Sequence, residues 1–205
     1  STIAAVRRLQ RHHVVVRNQS PMMNHVSLFE DAKGDVDVER TARNWIELAR
    51  LMGHLQIGFH SMYLARPTGE HHYFTAPLSA VAKIADLIHR SLASLYRPTR
   101  YISMTSSAGK ISLLGTTEVN GEKAFALKFT EGRDMKWLNG VFLAKYDDKQ
   151  NTIDLLLPFD RPEFFFRKGQ REIEAALVEA LRGRKIAKRD SEAGRGPGTS
   201  SPEGQ

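Results

Sequence analysis

The dipeptide Asn120-Gly121 constrains this chain more than any other pair of residues. It joins two extended runs, Lys110 to Val119 and Glu122 to Thr130, and both of its residues tolerate the positive φ that a tight hairpin demands. A second pair of runs, Val141 to Tyr146 and Thr152 to Leu157, flanks the polar loop 147–151. Together they predict an antiparallel meander of four to five strands. Along Glu122 to Thr130, strand alternation puts Phe125, Leu127 and Phe129 on one face and Ala124, Ala126 and Lys128 on the other. An antiparallel sheet covered on one side must hide such a phenylalanine row, so core packing accounts for the aromatics better than a base-stacking platform does.

Helical periodicity dominates the residues before the meander. Residues 2–12 read as a short basic helix with Ile3, Val6 and Gln10 along one side, and His13 to Arg17 as a brief strand ended by Asn18, Ser20 and Pro21. The acidic stretch 31–37 contains Gly34 and reads as an exposed loop. Asp37 is a good N-cap for a helix whose Val38, Ala42, Trp45, Ile46, Ala49 and Met52 repeat at three and four. That helix stops or bends at Gly53, and the apolar residues up to Ala65 suggest a second helix closed by 67–69. Thr75 is placed to cap a third, in which Leu78, Val81, Ile84, Ile88, Leu92 and Leu95 form a stripe. Pro98 ends it. Beyond the sheet, Phe164-Phe165-Phe166 is apolar on every side, and Gln170 to Arg182 predicts a last helix with Gly183 as its C′ residue.

Helices, then strands, then a helix argue for α+β. The expected organisation is a basic N-terminal helix and short strand at 1–20, one α+β domain at 21–183, and a disordered basic tail at 184–205. In that domain the N-terminal helices pack on the antiparallel meander, with the C-terminal helix following. Hydrophobic residues make up 41% and charged residues 26% of the 205, proportions that exclude wholesale disorder. The chain has no cysteine, which removes disulfides, thiolate metal sites and a cysteine nucleophile. No apolar run approaches the ~20 residues that span a bilayer. These features lead to the expectation of a soluble, cytoplasmic protein with no membrane partner and no cofactor.

The formal net charge of +7 points towards a polyanionic partner. Residues 1–20 hold Arg7, Arg8, Arg11 and Arg17 and no acid, and Arg182, Arg184, Lys185, Lys188 and Arg189 form the densest basic cluster. A helix-turn-helix around Gly53 would add base-reading groups at His54, Gln56 and His60. The fit is partial, because Leu55 and Ile57 would face outward and Gly58 would weaken the recognition helix. A plain helical hairpin is the competing interpretation. Arg133, Lys136 and Trp137 lie in the polar link between the hairpins and offer either a contact surface or, for Trp137, a plug for the core.

Other chemistries find less support. His54, His60, His71 and His72 with Glu70 lack the spacing of helical metal sites, so they read as surface or turn histidines, and no metal is expected. Thr105 to Lys110 ends in Gly-Lys, but a strand follows where a phosphate-binding loop must open a helix. Glu118, Glu122, Asp134, Asp147, Asp148 and Asp154 could hold magnesium in a nuclease, yet most of them sit at turns, where solvated acids normally go. No catalytic residue is assigned. The expected function is non-enzymatic nucleic-acid binding as a DNA-binding regulator of transcription or an accessory factor, with DNA preferred to RNA. The alternative is a protein-interaction subunit of a larger assembly that uses Trp137 and the Phe164–Phe166 run. A homodimer is compatible with both.

Overall fold

A computed structural model describes residues 1–67, 69–138 and 140–193, with the side chains of His71 and of 183–193 left aside. The described residues form four α-helices, six strands and four short 3-10 turns. The chain divides into two compact units, Ser1–Phe164 and Phe165–Gln205.

The first unit is built on one six-stranded sheet in the order β1-β2-β3-β4-β5-β6, with β1 Arg17–Met22, β2 Gly58–Leu64, β3 Ile102–Thr105, β4 Gly109–Val119, β5 Glu122–Gly132 and β6 Val141–Lys145. The fold is α+β as expected, but the sheet is mixed and not purely antiparallel. β1 pairs with β2 and β2 with β3 in parallel, and only from β3 onward do the pairs run antiparallel. Two misassigned segments account for the difference. Residues up to Ala65, expected to be a helix, contain β2; the strand of residues 13–17 lies instead at 17–22.

Both shifts have local causes. α2 (Val38–His54) begins where expected, with Asp37 Oδ1 accepting from Arg40 N at 3.0 Å. It ends because Gln56 adopts φ +57°, which turns the chain out of the helix towards Gly58. No helix follows Gly53, so the helix-turn-helix is absent. Pro21, read as a strand terminator, lies inside β1, which is tolerable because β1 is an edge strand. With β1 and β2 parallel, α2 becomes a crossover helix; α3 (Leu78–Ser91) fills the same role between β2 and β3.

α3 differs at its ends from its stripe. Pro77 occupies the N-cap without a side-chain cap, while Thr75 Oγ1 donates to His72 O at 2.7 Å instead. The helix stops at Ser91, so Leu95 falls in a 3-10 turn and is 85% exposed. The β4–β5 hairpin forms as read, with Asn120 at φ +52° and Gly121 at φ +82°. The second hairpin does not: β6 has no strand partner in residues 152–157, where Ile153–Leu155 is a 3-10 turn. Thr152 Oγ1 accepts from Asp154 N, a cap that favours the turn. Only Pro158 makes an isolated bridge, to Ala144. The basic helix α1 (Thr2–Arg11) forms near the N-terminus and has no buried residue.

Register explains the core. Met22, Leu64, Met104, Ile111 and Phe129 are successive cross-strand partners over β1 to β5, and each is at most 5% exposed. Leu127 and Phe125 extend the same face, as the alternation in β5 requires. α3 lies over this face, sharing a cleft with Ile102 and Leu113, and α2 packs on α3. Trp137 is buried beside Phe129 at 5.7 Å between ring centroids, so it plugs the core rather than offering a contact surface.

In the second unit, α4 (Arg167–Ala193) runs past Gly183 and past the start expected for the disordered tail at 184. Residues 194–205 of that expected tail lie outside the described residues. Phe165 is 44% exposed.

Candidate functional site

One step along each strand from the buried row, a second row faces the other side of the sheet. Pro21, Tyr63, Ser103, Ser112, Lys128 and Val141 are successive partners across all six strands. The two rows differ in chemistry because side chains alternate between faces. The first is apolar throughout. The second has an aromatic, two hydroxyls and an ammonium in its middle four positions.

The polar row borders a cavity of about 190 Å³, lined by Gln19, His60, Ser61, Arg100, Tyr101, Ser103, Lys110, Ser112, Thr130 and Glu131. Ser61, Ser103 and Ser112 are 4%, 6% and 3% exposed, and none of their hydroxyls pairs with another protein group among the described residues. The hydroxyls themselves keep solvent access, since the buried side-chain polar atoms left without a partner among the described residues are Asn24 Oδ1 and Trp45 Nε1. Lys110 Nζ lies 3.4 Å from Glu131 Oε1, the one carboxylate in the lining. The Glu131 side chain is 66% exposed, which leaves it free to swing into solvent.

Local structure aims these groups. A register shift in the β1–β2 pair sets Phe59 opposite Asn18 and Ser61 opposite Gln19, leaving His60 as the extra residue. Phe59 then stacks on Trp45 in the core, and His60 reaches the opposite side. Its carbonyl accepts from Thr99 Oγ1 at 2.8 Å and Arg100 N at 3.1 Å, which fastens the segment carrying Arg100 and Tyr101 beside the cavity. At the other end, Gly109 takes φ +145° against the backbone of Glu131 and Gly132, so that β4 starts with Lys110 already in the sheet. Gly109-Lys110 therefore opens a strand, as read, and not a phosphate loop before a helix.

Of the residues singled out from the sequence, only His60 lies in this cavity. Arg7, Arg11 and Gln56 share a shallow depression with Gln10, whose Nε2 donates to Leu55 O at 2.7 Å. Arg8 and Arg17 are exposed, and His54 packs against Tyr96 with ring centroids 6.2 Å apart. Arg133 and Lys136 are exposed in the link after β5, and Arg182 is exposed on α4. The side chains of Arg184, Lys185, Lys188 and Arg189 lie outside the described residues. Sequence reading missed Gln19, Ser61, Arg100, Ser103, Lys110, Ser112 and Glu131. Their one available signal was the alternation of Lys110 and Ser112 on a strand already predicted.

Three of the six acids considered for magnesium accept backbone hydrogen bonds instead. Asp134 Oδ1 accepts from Lys136 N, Asp147 Oδ1 from Lys149 N, and Asp154 Oδ1 from Ser107 N and Oγ. Glu118 faces Lys123 across the β4–β5 pair. Among the described residues, no group of three His, Asp or Glu could hold a metal ion. A second cavity of about 400 Å³ lies between α3 and β3–β4, but its Arg90 and Asp86 neutralise each other at 2.9 Å. No described helix is long and apolar enough to cross a membrane. Comparison with protein-family models, curated proteins and solved structures gives no match for this chain.

Proposed function

We propose that the protein binds nucleic acid without catalysis, as a DNA-binding accessory factor, and that the polar face of the sheet is its platform. The observation that carries this reading is the row Tyr63, Ser103, Ser112 and Lys128, flanked by Arg100, Lys110 and Tyr101. Exposed tyrosines supply faces for base stacking, and the cations track the phosphates. A sheet platform of this kind suits a single strand, whose bases are free to splay onto it. The arginines of α1 add long-range attraction, since Arg7, Arg8 and Arg11 are exposed and unopposed by acid in residues 1–20.

The test is fluorescence anisotropy with single-stranded and duplex DNA over a range of salt. Replacing Arg100, Lys110 and Lys128 together by alanine should weaken single-strand binding and lower the salt slope by about two, at ~0.7 per phosphate contact. Absence of binding at low salt, or an unchanged slope in the triple variant, would overturn the platform.

The second reading, a protein-interaction subunit, is favoured by α1. Its Ile3 and Leu9 are 49% and 46% exposed on a helix that buries nothing. Deleting residues 1–12 would then abolish partner capture, whereas on the nucleic-acid reading the same deletion should only weaken DNA binding by removing the attraction of Arg7, Arg8 and Arg11.

A further inference from the structure

We infer that the cavity at Ser61, Ser103 and Ser112 is a receptor for a phosphate monoester. This deepens the nucleic-acid reading and rests on it for one of two sources, the phosphorylated end of a strand; the other is a small phosphate ester free in solution.

Three observations converge. First, the lining is rich in donors: three serine hydroxyls, the Gln19 amide, the Lys110 ammonium and the Arg100 guanidinium, against the single carboxylate of Glu131. Second, the three serines are more than nine-tenths buried, line the cavity and lack protein partners. Their hydroxyls keep access to the cavity, so they can donate to a ligand oxygen there without first giving up a protein partner. Third, the space is small. At about 190 Å³ it holds the equivalent of roughly six waters at ~30 Å³ each. Pockets for whole small-molecule ligands start at about 300 Å³. A space of this size matches a single tetrahedral anionic group, with the rest of its ligand extending out through the opening.

The number of donors separates a monoester from a diester. An internal phosphodiester offers two non-bridging oxygens, and its strand must leave the cavity on both sides. A monoester offers three terminal oxygens to three hydroxyls and extends from the site in one direction only. Its second charge engages Lys110 and Arg100, in the charge-assisted bonds that are the strong ones. Glu131 must then release Lys110, and its exposure allows that movement. The carboxylate acts as a weak internal competitor, so removing its charge should tighten binding.

The experiment uses the full chain with one short single strand in three forms, carrying a 5′-phosphate, a 3′-phosphate or neither, and with inorganic phosphate as a separate probe. Binding is read by anisotropy for the strands and by the backbone amide resonances of Ser103 and Ser112 for phosphate. An end-phosphorylated strand should bind about tenfold tighter than the unmodified one. Inorganic phosphate should shift both serine resonances to saturation. The double variant Ser103→Ala with Ser112→Ala should bring the two strands to within about twofold, and Glu131→Gln should raise the preference. Circular dichroism of each variant reports its folding.

Equal affinity for all three strands, with no phosphate-induced shift, overturns the receptor. So does an end preference that survives in the double serine variant, since it would lie elsewhere. If no strand binds but phosphate still shifts Ser103 and Ser112, the nucleic-acid reading fails while the receptor stands, with a small phosphate ester as its ligand.

Discussion

The ring of Tyr96 lies so close to the Cα of Gly53 that a methyl group added there would fall on the ring's Cδ1 and Cε1 edge. Gly53 is therefore a packing residue at the last turn of α2, where the 3-10 turn of Tyr96 presses against the helix. In an open helix, replacing glycine by alanine stabilises by ~0.5–1 kcal/mol. Here overpacking opposes that gain and costs about 1–3 kcal/mol. Gly53→Ala should thus lower the urea midpoint of the native chain, whereas in a Tyr96→Ala background the same change should raise it. A substitution with the same sign in both backgrounds would remove Tyr96 as the reason for Gly53.

His89 supplies a pH dependence. Burial lowers its pKa most, the nearby Arg97 lowers it further, and Asp86 pulls it partly back. The ring, stacked 6.1 Å from that of Tyr101, thus binds its proton less readily in the fold than its ordinary value of 6.5 implies. The unfolded chain takes up the proton first as pH falls. Stability is fully present above 6.5 and drains away below it, down to the lowered native value. Urea midpoints at pH 8 and pH 5 should therefore diverge in the native chain and converge partly in His89→Gln. A difference between the two pH values that His89→Gln leaves unchanged would place the sensitivity on other groups.

The parts of the fold legible from sequence were those governed by local rules. Asn120-Gly121 fixes its hairpin because few residue pairs accept two positive φ values, and Asp37 caps α2 through its own side chain. The β5 alternation correctly separated Phe125, Leu127 and Phe129 from Lys128. What escaped was set by tertiary pairing. Phe59 to Leu64 mixes apolar residues at spacings that suit a helix or a bulged strand, and the parallel partners on either side decide in favour of the strand. The candidate site escaped for the same reason. Ser61 lay in the segment read as helix, and Ser103 means nothing until it stands opposite Ser112.

Asp154 ties the turn after β3 to the chain beyond β6. Its Oδ1 accepts from Ser107 N at 3.0 Å and from Ser107 Oγ at 2.7 Å. Hydrogen bonds to a charged group contribute about 1.5–3 kcal/mol. Asp154→Ala should lower the melting temperature correspondingly, and millimolar magnesium should leave the melting of the native chain unchanged. Stabilisation by magnesium that Asp154→Ala abolishes would instead return this carboxylate to the role of a metal ligand.

Tyr63 and Leu64 are neighbours in sequence that the sheet sends to opposite faces. Leu64, 5% exposed, meets Met22 and Met104, while Tyr63, 36% exposed, meets Pro21 and Ser103. The two substitutions should separate folding from function. Leu64→Ala removes packed methyl groups and should cost about 2–5 kcal/mol of stability. Tyr63→Ala should cost far less stability but weaken single-strand binding by ~1–3 kcal/mol, the contribution of one base stacked on an aromatic ring. Tyr63→Phe keeps that stacking face and should bind as the native chain does, which separates stacking from any hydrogen bond of the phenol. If Tyr63→Ala binds single strands undiminished, the polar row is not where the bases lie, and the cations around Lys110 must act on a ligand that stops short of Tyr63.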